Sequence, residues 1–104
     1  MTLEQFQTAV NTIKIPNYYG YMPENTSPPY IAYNATQKNV IHADGVVVYA
    51  ENDIEFRFVS AERDLDTEAD IEGMLSDNGI AFDAPELEFD EEQRIHIATY
   101  NFQI

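Results

Sequence analysis

Cysteine and tryptophan are absent from this sequence, and no segment is long and apolar enough to resemble a membrane span. Without cysteine the chain has no disulfide framework, no thiolate nucleophile and no cysteine-based zinc or iron–sulfur site. The first ten residues include Glu4 and contain neither a basic cluster nor an apolar run, so they do not resemble a signal peptide. We therefore expect a soluble protein that is made and used in a cytoplasm.

Basic residues are scarce, since Lys and Arg number 5 against 19 Asp and Glu, for a formal net charge of -14. This charge argues against non-specific attraction to nucleic acid or to an anionic membrane surface. The acids concentrate in residues 51–104, where sixteen of them are interleaved with apolar residues that a disordered acidic tail would lack. With 44% hydrophobic residues in a chain of this length, we expect one folded domain over residues 1–104.

Binding motifs for cofactors and metals are also missing. The four glycines form neither a dinucleotide-binding fingerprint nor a phosphate-binding loop. The acidic run that starts at Asp64 resembles a calcium loop, but Ala69 stands where that loop needs glycine and Leu75 where it needs a bidentate acid. We interpret the run as a solvated helix face and expect no cofactor and no metal.

The residues do not form a recognisable catalytic group. His42 and Asp44 fall in a predicted loop and His96 in a predicted strand, so a metal site or a relay would need a distant third group. No serine stands in a Gly-x-Ser-x-Gly context. We predict that the protein is not an enzyme; a small metal-dependent enzyme would require both histidines to converge with carboxylates.

Two segments carry helix signals. Thr2 and Gln5 fit a capping box, and apolar residues at helical spacing predict a first helix over 3–14. Asp64 is a predicted N-cap for a second helix that Gly79 ends, with Ile71, Met74 and Leu75 on one face.

Clusters of aromatic and β-branched residues predict the strands. Residues 34–44 are read as a long polar loop, Asp44-Gly45 as a turn, and Asn52-Asp53 as the turn of a hairpin. The last strand changes the parity of its apolar positions, which predicts either a bulge or burial on both faces. The predicted extended segments are residues 18–21, 30–33, 46–49, 54–58, 80–82, 87–89 and 93–104.

These elements predict an α+β fold. Two helices should pack on one face of a mainly antiparallel sheet of about five or six strands, in the order α-β-β-β-β-α-β-β.

The order of these elements resembles that of the small tail-terminator, or head–tail joining, proteins of long-tailed bacteriophages and prophages. The likeness covers nearly the whole chain, and it departs from the family pattern at Arg63-Asp64-Leu65, where Asp-Pro is common, and after Asp90. The matching pieces are Ile15-Pro16, Tyr18-Tyr19-Gly20, Pro28-Pro29-Tyr30-Ile31-x-Tyr33, Ala43-Asp44-Gly45, Ile54-Glu55-Phe56-Arg57-Phe58, Ile71-Glu72-x-x-Leu75, Gly79-Ile80 and Tyr100-x-Phe102.

The resemblance implies a structural role without catalysis. Members of that family form a ring, often hexameric, that caps the head-proximal end of the tail tube and docks it to the capsid connector. The implied partners are other copies of the chain, the tail tube protein and the connector, with no direct nucleic-acid binding and no membrane. The implied location is the bacterial cytoplasm during assembly and then the virion, at the head–tail interface.

Interface residues are predicted from tyrosine's enrichment at protein interfaces and from the loop that precedes the Asp-Gly turn. The candidate interface residues are Tyr18, Tyr19, Tyr21, Lys38, His42 and Asp44.

An acidic DNA mimic that inhibits a DNA-binding or restriction enzyme is the alternative. Sixteen acids on a compact half of the chain would imitate an array of phosphates. Such a protein would compete with DNA for a basic partner, and its affinity would fall as salt rises.

Overall fold

The residues that the structure describes form two helices and a five-stranded sheet. The structure is a computed structural model that describes residues 1–20, 22, 23 and 25–104, without the side chains of residues 48 and 49. The elements are α1 (Leu3–Val10), β1 (Asn17–Tyr19), β2 (Tyr30–Ala43), β3 (Val46–Ser60), α2 (Leu65–Asp77), β4 (Glu86–Asp90) and β5 (Ile95–Gln103).

The first helix begins at the predicted capping box and ends earlier than predicted. The Gln5 amide donates to Thr2 Oγ1 at 3.1 Å, and the Thr2 amide donates to Gln5 Oε1 at 2.9 Å. The helix ends at Val10, because the next amides bond three residues back and the chain tightens into turns. Ile13 is nevertheless buried. The apolar spacing that predicted a longer helix therefore comes from a side chain that is buried in the turn after the helix.

The second helix is confirmed at both ends. Asp64 is the N-cap and accepts hydrogen bonds from the amide and hydroxyl of Thr67, at 3.0 and 2.7 Å, and these bonds lower the pKa of the Asp64 carboxyl. At the other end Gly79 has φ +70°, and the amide of Ile80 bonds to the Leu75 carbonyl at 2.9 Å. This is a Schellman arrangement, which requires a residue that tolerates left-handed backbone.

The sheet has the strand order β1-β2-β3-β5-β4, with β1 parallel to β2 and the other pairs antiparallel. Alternation along β2, β3 and β5 sends one set of side chains toward the helices, and we call this side the helix face. The opposite side is the outer face. The strand residues of the core on the helix face are Ile31, Tyr33, Ile54, Phe56, Phe58, Ala98, Tyr100 and Phe102.

Aromatic rings join α1 to the centre of the sheet. Phe6 from α1 is fully buried and lies with its ring centroid 5.5 Å from Tyr33, 6.2 Å from Phe56 and 5.5 Å from Phe102. Phe56 lies 5.8 Å from Tyr33 and 6.4 Å from Tyr100. The core is therefore one contiguous aromatic cluster, in which each ring has several partners.

Residues 34–44 do not form the predicted polar loop. They continue β2 as far as Ala43, which pairs with Val46 across the Asp44-Gly45 turn. Both turn residues have positive φ, 52° and 77°, as a two-residue type I′ hairpin requires. The turn signal was read correctly, but the strand before it lacks apolar alternation from residue 37 onward because neither of its faces lies against the core there.

The predicted turn at Asn52-Asp53 is also wrong. Residues 46–49 and 54–58 belong to one continuous strand, β3, and both pair with β2. Asn52 exchanges backbone hydrogen bonds with Ile104, at 2.9 and 3.0 Å, which holds this stretch extended beside the end of β5. Turn-forming residue types are tolerated there because the backbone pairing is complete.

The last strand has no bulge, and it is buried on both faces only near its start. Its pairing with β3 and β4 shows no register shift. Tyr100 and Phe102 are buried on the helix face, whereas Ile95 is buried on the outer face.

The fold class is confirmed: the protein is α+β, with two helices packed on one face of a mainly antiparallel sheet. The strands are longer and less interrupted than predicted. Among the described residues, no helix is long and apolar enough to cross a membrane.

Candidate interaction site

A two-stranded arm extends beyond the helix-covered body. It consists of residues 37–52, the outer parts of β2 and β3, which pair with each other through most of their length. The longest dimension of the molecule, 52 Å against 27 and 22 Å, follows from this extension. The two strands of the arm form the part of the sheet that lies farthest from the core.

The tip of the arm carries exposed aliphatic side chains. Val46 is 63% exposed, Ile41 56%, Val47 53% and Val40 39%. Val40 and Val47 lie on one face of the hairpin, and Ile41 and Val46 lie on the other. Single exposed apolar residues are ordinary, but two such pairs at the end of a hairpin are typical of an interaction site.

Side-chain hydrogen bonds fix the root of the arm. Asp53 Oδ1 accepts from the amide groups of Asn39 at 3.0 Å and Gln103 at 2.9 Å. Gln37 donates to Asn39 Oδ1 at 3.0 Å. These bonds tie both strands of the arm to the end of β5, so the direction of the arm is set by the body.

Three of the predicted interface residues lie on this arm. Lys38, His42 and Asp44 are all exposed, and Asp44 forms the turn. Lys38 and Val40 alternate with their neighbours along β2 and therefore share one face of the arm. The arm thus presents a cation beside an aliphatic side chain.

The predicted tyrosines lie elsewhere and do not form one cluster. Tyr19 packs on Tyr33, with ring centroids 5.4 Å apart, and remains 39% exposed. Tyr18 points to the outer face, where it lines a depression with Ala32 and Arg57. Tyr21 lies outside the described residues. The structure therefore separates the tyrosines on β1 from the predicted residues of the arm.

A groove opens at the opposite end of the sheet, between β4 and the start of α2. Its volume is about 220 Å³, and Phe58 and Ala98 form its buried floor. Leu87 and Phe89 stand on its β4 side, 53% and 48% exposed, and Phe89 stacks on His96 with ring centroids 4.7 Å apart. We call this depression the β4 groove; its lining also includes Ser60, Arg63, Glu68, Glu88 and Ile97.

An ion pair borders the β4 groove. Glu68 is buried, and its Oε2 lies 3.3 Å from Nε of Arg63, whose side chain is 46% exposed. Arg63 is the only basic residue between residues 60 and 92, a stretch that holds thirteen acids. It therefore compensates a buried carboxylate in the most acidic part of the chain.

Replacing Arg63 should destabilise the protein. We expect Arg63→Gln to lower the free energy of unfolding by about 1–2 kcal/mol, less than the 3–5 kcal/mol typical of a fully buried pair, because Arg63 is half-exposed. Arg57→Gln is the matched control, since Arg57 pairs with Glu55 at 2.7 Å with both side chains in solvent, and we expect a change within about 0.5 kcal/mol. Urea unfolding measures both; equal losses in the two variants would contradict this role of Arg63.

The Tyr100 hydroxyl lies inside the core and donates to Glu72 Oε2 at 3.2 Å. Burial, followed by the negative charges of Glu72 and Glu68, raises the pKa of Tyr100 far above its usual 10.0. Burial also raises the pKa of Tyr33. Both hydroxyls are thus held in their neutral form, as expected for polar groups that complete an apolar core.

The protein should lose stability in alkaline solution for this reason. Above about pH 10 the unfolded chain releases the tyrosine protons whereas the folded chain retains them, so the free energy of unfolding falls as pH rises from that point. We expect Tyr100→Phe to show a shallower fall between pH 10 and 12, measured by thermal unfolding. A slope identical to that of the native chain would show that Tyr100 ionises in the folded protein.

The two histidines do not converge. His42 lies near the tip of the arm, opposite Val47, whereas His96 lies beside Ser60 at the far end of β3. Within the part of the chain that the structure describes, no three His, Asp or Glu side chains form a metal-ligating group.

The apolar residues of both surfaces were not predicted from the sequence as interaction residues. Val40 and Ile41 interrupt a polar stretch directly before an Asp-Gly turn, which is a signal for an apolar hairpin tip. Leu87 and Phe89 predicted an extended segment, and nothing in the sequence indicated that their side chains would remain partly exposed.

Comparison with known proteins adds no assignment to these surfaces: the chain matches no protein-family model and no curated protein.

Proposed function

We propose that the protein is a structural, non-catalytic subunit that assembles with copies of itself into a ring. By its resemblance to tail-terminator proteins, the ring caps the head-proximal end of a bacteriophage tail tube and joins it to the head connector. The partners are then the neighbouring copies, the tail tube protein and the connector protein. Assembly takes place in the bacterial cytoplasm, and the ring remains in the virion.

The protruding arm is the observation that carries this proposal. Its four aliphatic side chains lie at one end of the molecule, far from the core, and contribute little to the stability of the isolated chain. Exposed apolar clusters of this kind are costly in solution and are typical of surfaces that become buried on association. A rigid root and an apolar tip suit an element that holds a neighbouring molecule in a fixed orientation.

The distribution of charge also supports assembly through the arm. The arm, residues 37–52, contains one base, Lys38, and two acids, Asp44 and Glu51, for a net charge of -1 in a chain of net charge -14. Two copies repel each other through their acidic bodies, and this repulsion is smallest where one of the approaching surfaces carries little charge. The same repulsion would keep free subunits apart before assembly.

Self-association should therefore increase with salt. We expect light scattering over a concentration series to show a monomer or weak oligomer in dilute low-salt solution and larger species at 0.5 M NaCl, because salt screens the repulsion between the bodies and leaves apolar contacts intact. Negative-stain microscopy should then show closed rings. A monomer at every protein and salt concentration would contradict the proposal.

A DNA mimic is the second candidate, favoured by the exposure of many acids on α2 and β4. Asp66, Asp70 and Asp77 are exposed along α2, and Glu86 and Glu88 along β4. Binding of such a surface to a basic protein would weaken as salt rises, the opposite of the dependence expected for self-association. Displacement of DNA from a basic nuclease, lost at high salt, would favour this second function.

A further inference from the structure

We propose that the arm tip of one copy binds in the β4 groove of the next copy, in a head-to-tail contact that repeats around the ring. This inference rests on the proposed self-assembly and specifies the two surfaces that meet. The inserted element is the tip, with Ile41 and Val46 on one face and Val40 and Val47 on the other, and Leu87, Phe89 and His96 supply the receiving side.

The two surfaces cannot meet within one chain. The tip lies at the first residue of β3, Val46, and the groove lies beside its last residue, Ser60. At about 3.3 Å per residue, these fourteen steps place the two sites roughly 45 Å apart on one continuous strand. The arm root is fixed by its hydrogen bonds, so the tip does not fold back, and the groove is available to another copy.

A contact between two different surfaces is heterologous. Each copy then keeps one free tip and one free groove after it has bound a neighbour, and the series ends only when the last tip meets the first groove. This arrangement produces closed rings or open filaments rather than two-fold dimers. A ring subunit needs a pair of distinct, complementary surfaces of this kind.

The chemistry of the two surfaces is complementary. The groove offers an apolar floor and two half-exposed apolar side chains, and each face of the tip offers a pair of exposed aliphatic side chains. Residues 60–92, which supply most of the groove lining, contain thirteen acids and one base, whereas the arm has a net charge of -1 and carries Lys38 and His42. Of the surfaces described above, the arm is therefore the apolar one that approaches this acidic region with the least repulsion.

The edge of β4 favours side-chain insertion over simple strand pairing. Glu86 and Glu88 alternate with Leu87 and Phe89 along this edge strand. Charged residues on an edge strand discourage pairing with other edges. The apolar side chains that remain exposed beside them therefore mark a site for a specific apolar partner.

The absence of native cysteine allows a direct test by disulfide trapping in the full chain. Val46→Cys and Leu87→Cys are prepared as two separate variants and then mixed. Under mild oxidation this mixture should form disulfide-linked mixed dimers at least ten times faster than a control mixture of Val46→Cys and Asp77→Cys. Asp77 is an exposed position at the end of α2. Equal rates for the two mixtures would overturn the contact.

Complementation provides an independent readout. Val46→Asp disables the tip but leaves the groove, and Leu87→Asp disables the groove but leaves the tip, so each variant alone should be monomeric. Mixed at equal concentrations, they should form a heterodimer that stops at two subunits, because only one intact tip and one intact groove can meet. Both substitutions are at exposed positions, and thermal unfolding checks that each variant is folded.

The outcomes separate this inference from the function on which it rests. If the native chain forms rings but neither variant affects them, the proposed function stands and the tip-to-groove contact is wrong. If the native chain remains monomeric at every protein and salt concentration, the proposed function fails as well.

Discussion

Shortening the arm is expected to abolish self-association while leaving the body folded. In this variant an Asn-Gly turn replaces residues 38–52 and joins Gln37 to Asp53, which are paired across the two strands next to the last core pair, Ala35 and Ile54. The variant loses the four exposed aliphatic side chains and none of the core residues, so the melting temperature should change by only a few degrees. Light scattering should show a monomer under conditions in which the native chain forms oligomers.

Asp44→Asn is the matched control for the shortened arm. Asparagine tolerates the positive φ of 52° at this turn position as well as aspartate does, so the hairpin and its apolar tip are retained. Self-association should therefore persist in this variant. If the shortened chain still forms the native oligomers, the arm does not carry assembly, and the proposed function loses its main support.

Truncation of Phe56 is expected to cause the largest loss of stability. Phe56 is fully buried at the centre of the aromatic cluster and packs against Phe6 on α1 and Tyr100 on β5. Phe56→Ala should lower the free energy of unfolding by about 3–5 kcal/mol, through the lost burial and the cavity left behind. Small domains are stable by only about 5–15 kcal/mol, so the melting temperature should fall by roughly 15–25 °C.

Two controls distinguish packing from general sensitivity to substitution. Phe56→Leu keeps most of the volume and should cost less than about 1.5 kcal/mol. Val46→Ala, at the exposed arm tip, should change the free energy of unfolding by less than about 0.5 kcal/mol. Urea unfolding compares the three variants; a loss below 1 kcal/mol for Phe56→Ala would show that the aromatic cluster does not hold the helices to the sheet.

The local signals in the sequence predicted three of the four helix ends and the turn between β2 and β3. Thr2 with Gln5, and Asp64 with Gly79, mark helix ends through hydrogen bonds formed within a few residues, so neighbouring residues contain the necessary information. Asp44-Gly45 likewise specifies a tight turn through its backbone preferences. The alternation in Ile54, Phe56 and Phe58 correctly predicted a strand with one buried face.

The candidate site was predicted only in part. Lys38, His42 and Asp44 were placed near a subunit contact, and the structure locates them on the arm, where they are exposed. That they lie at a contact remains a prediction. The apolar tip and the β4 groove were not recognised, because an exposed valine or leucine has the same sequence signature as a buried one.

The sequence by itself determined an acidic α+β domain, the caps of its second helix, the turn at Asp44-Gly45 and the apolar residues available for a core. Only the tertiary structure decided that residues 34–43 are a strand, that β3 runs without a turn through Asn52, and that Leu87 and Phe89 remain partly exposed. The physical reason is range: caps and turns depend on bonds between near neighbours, whereas strand pairing and exposure depend on which distant segments lie beside them.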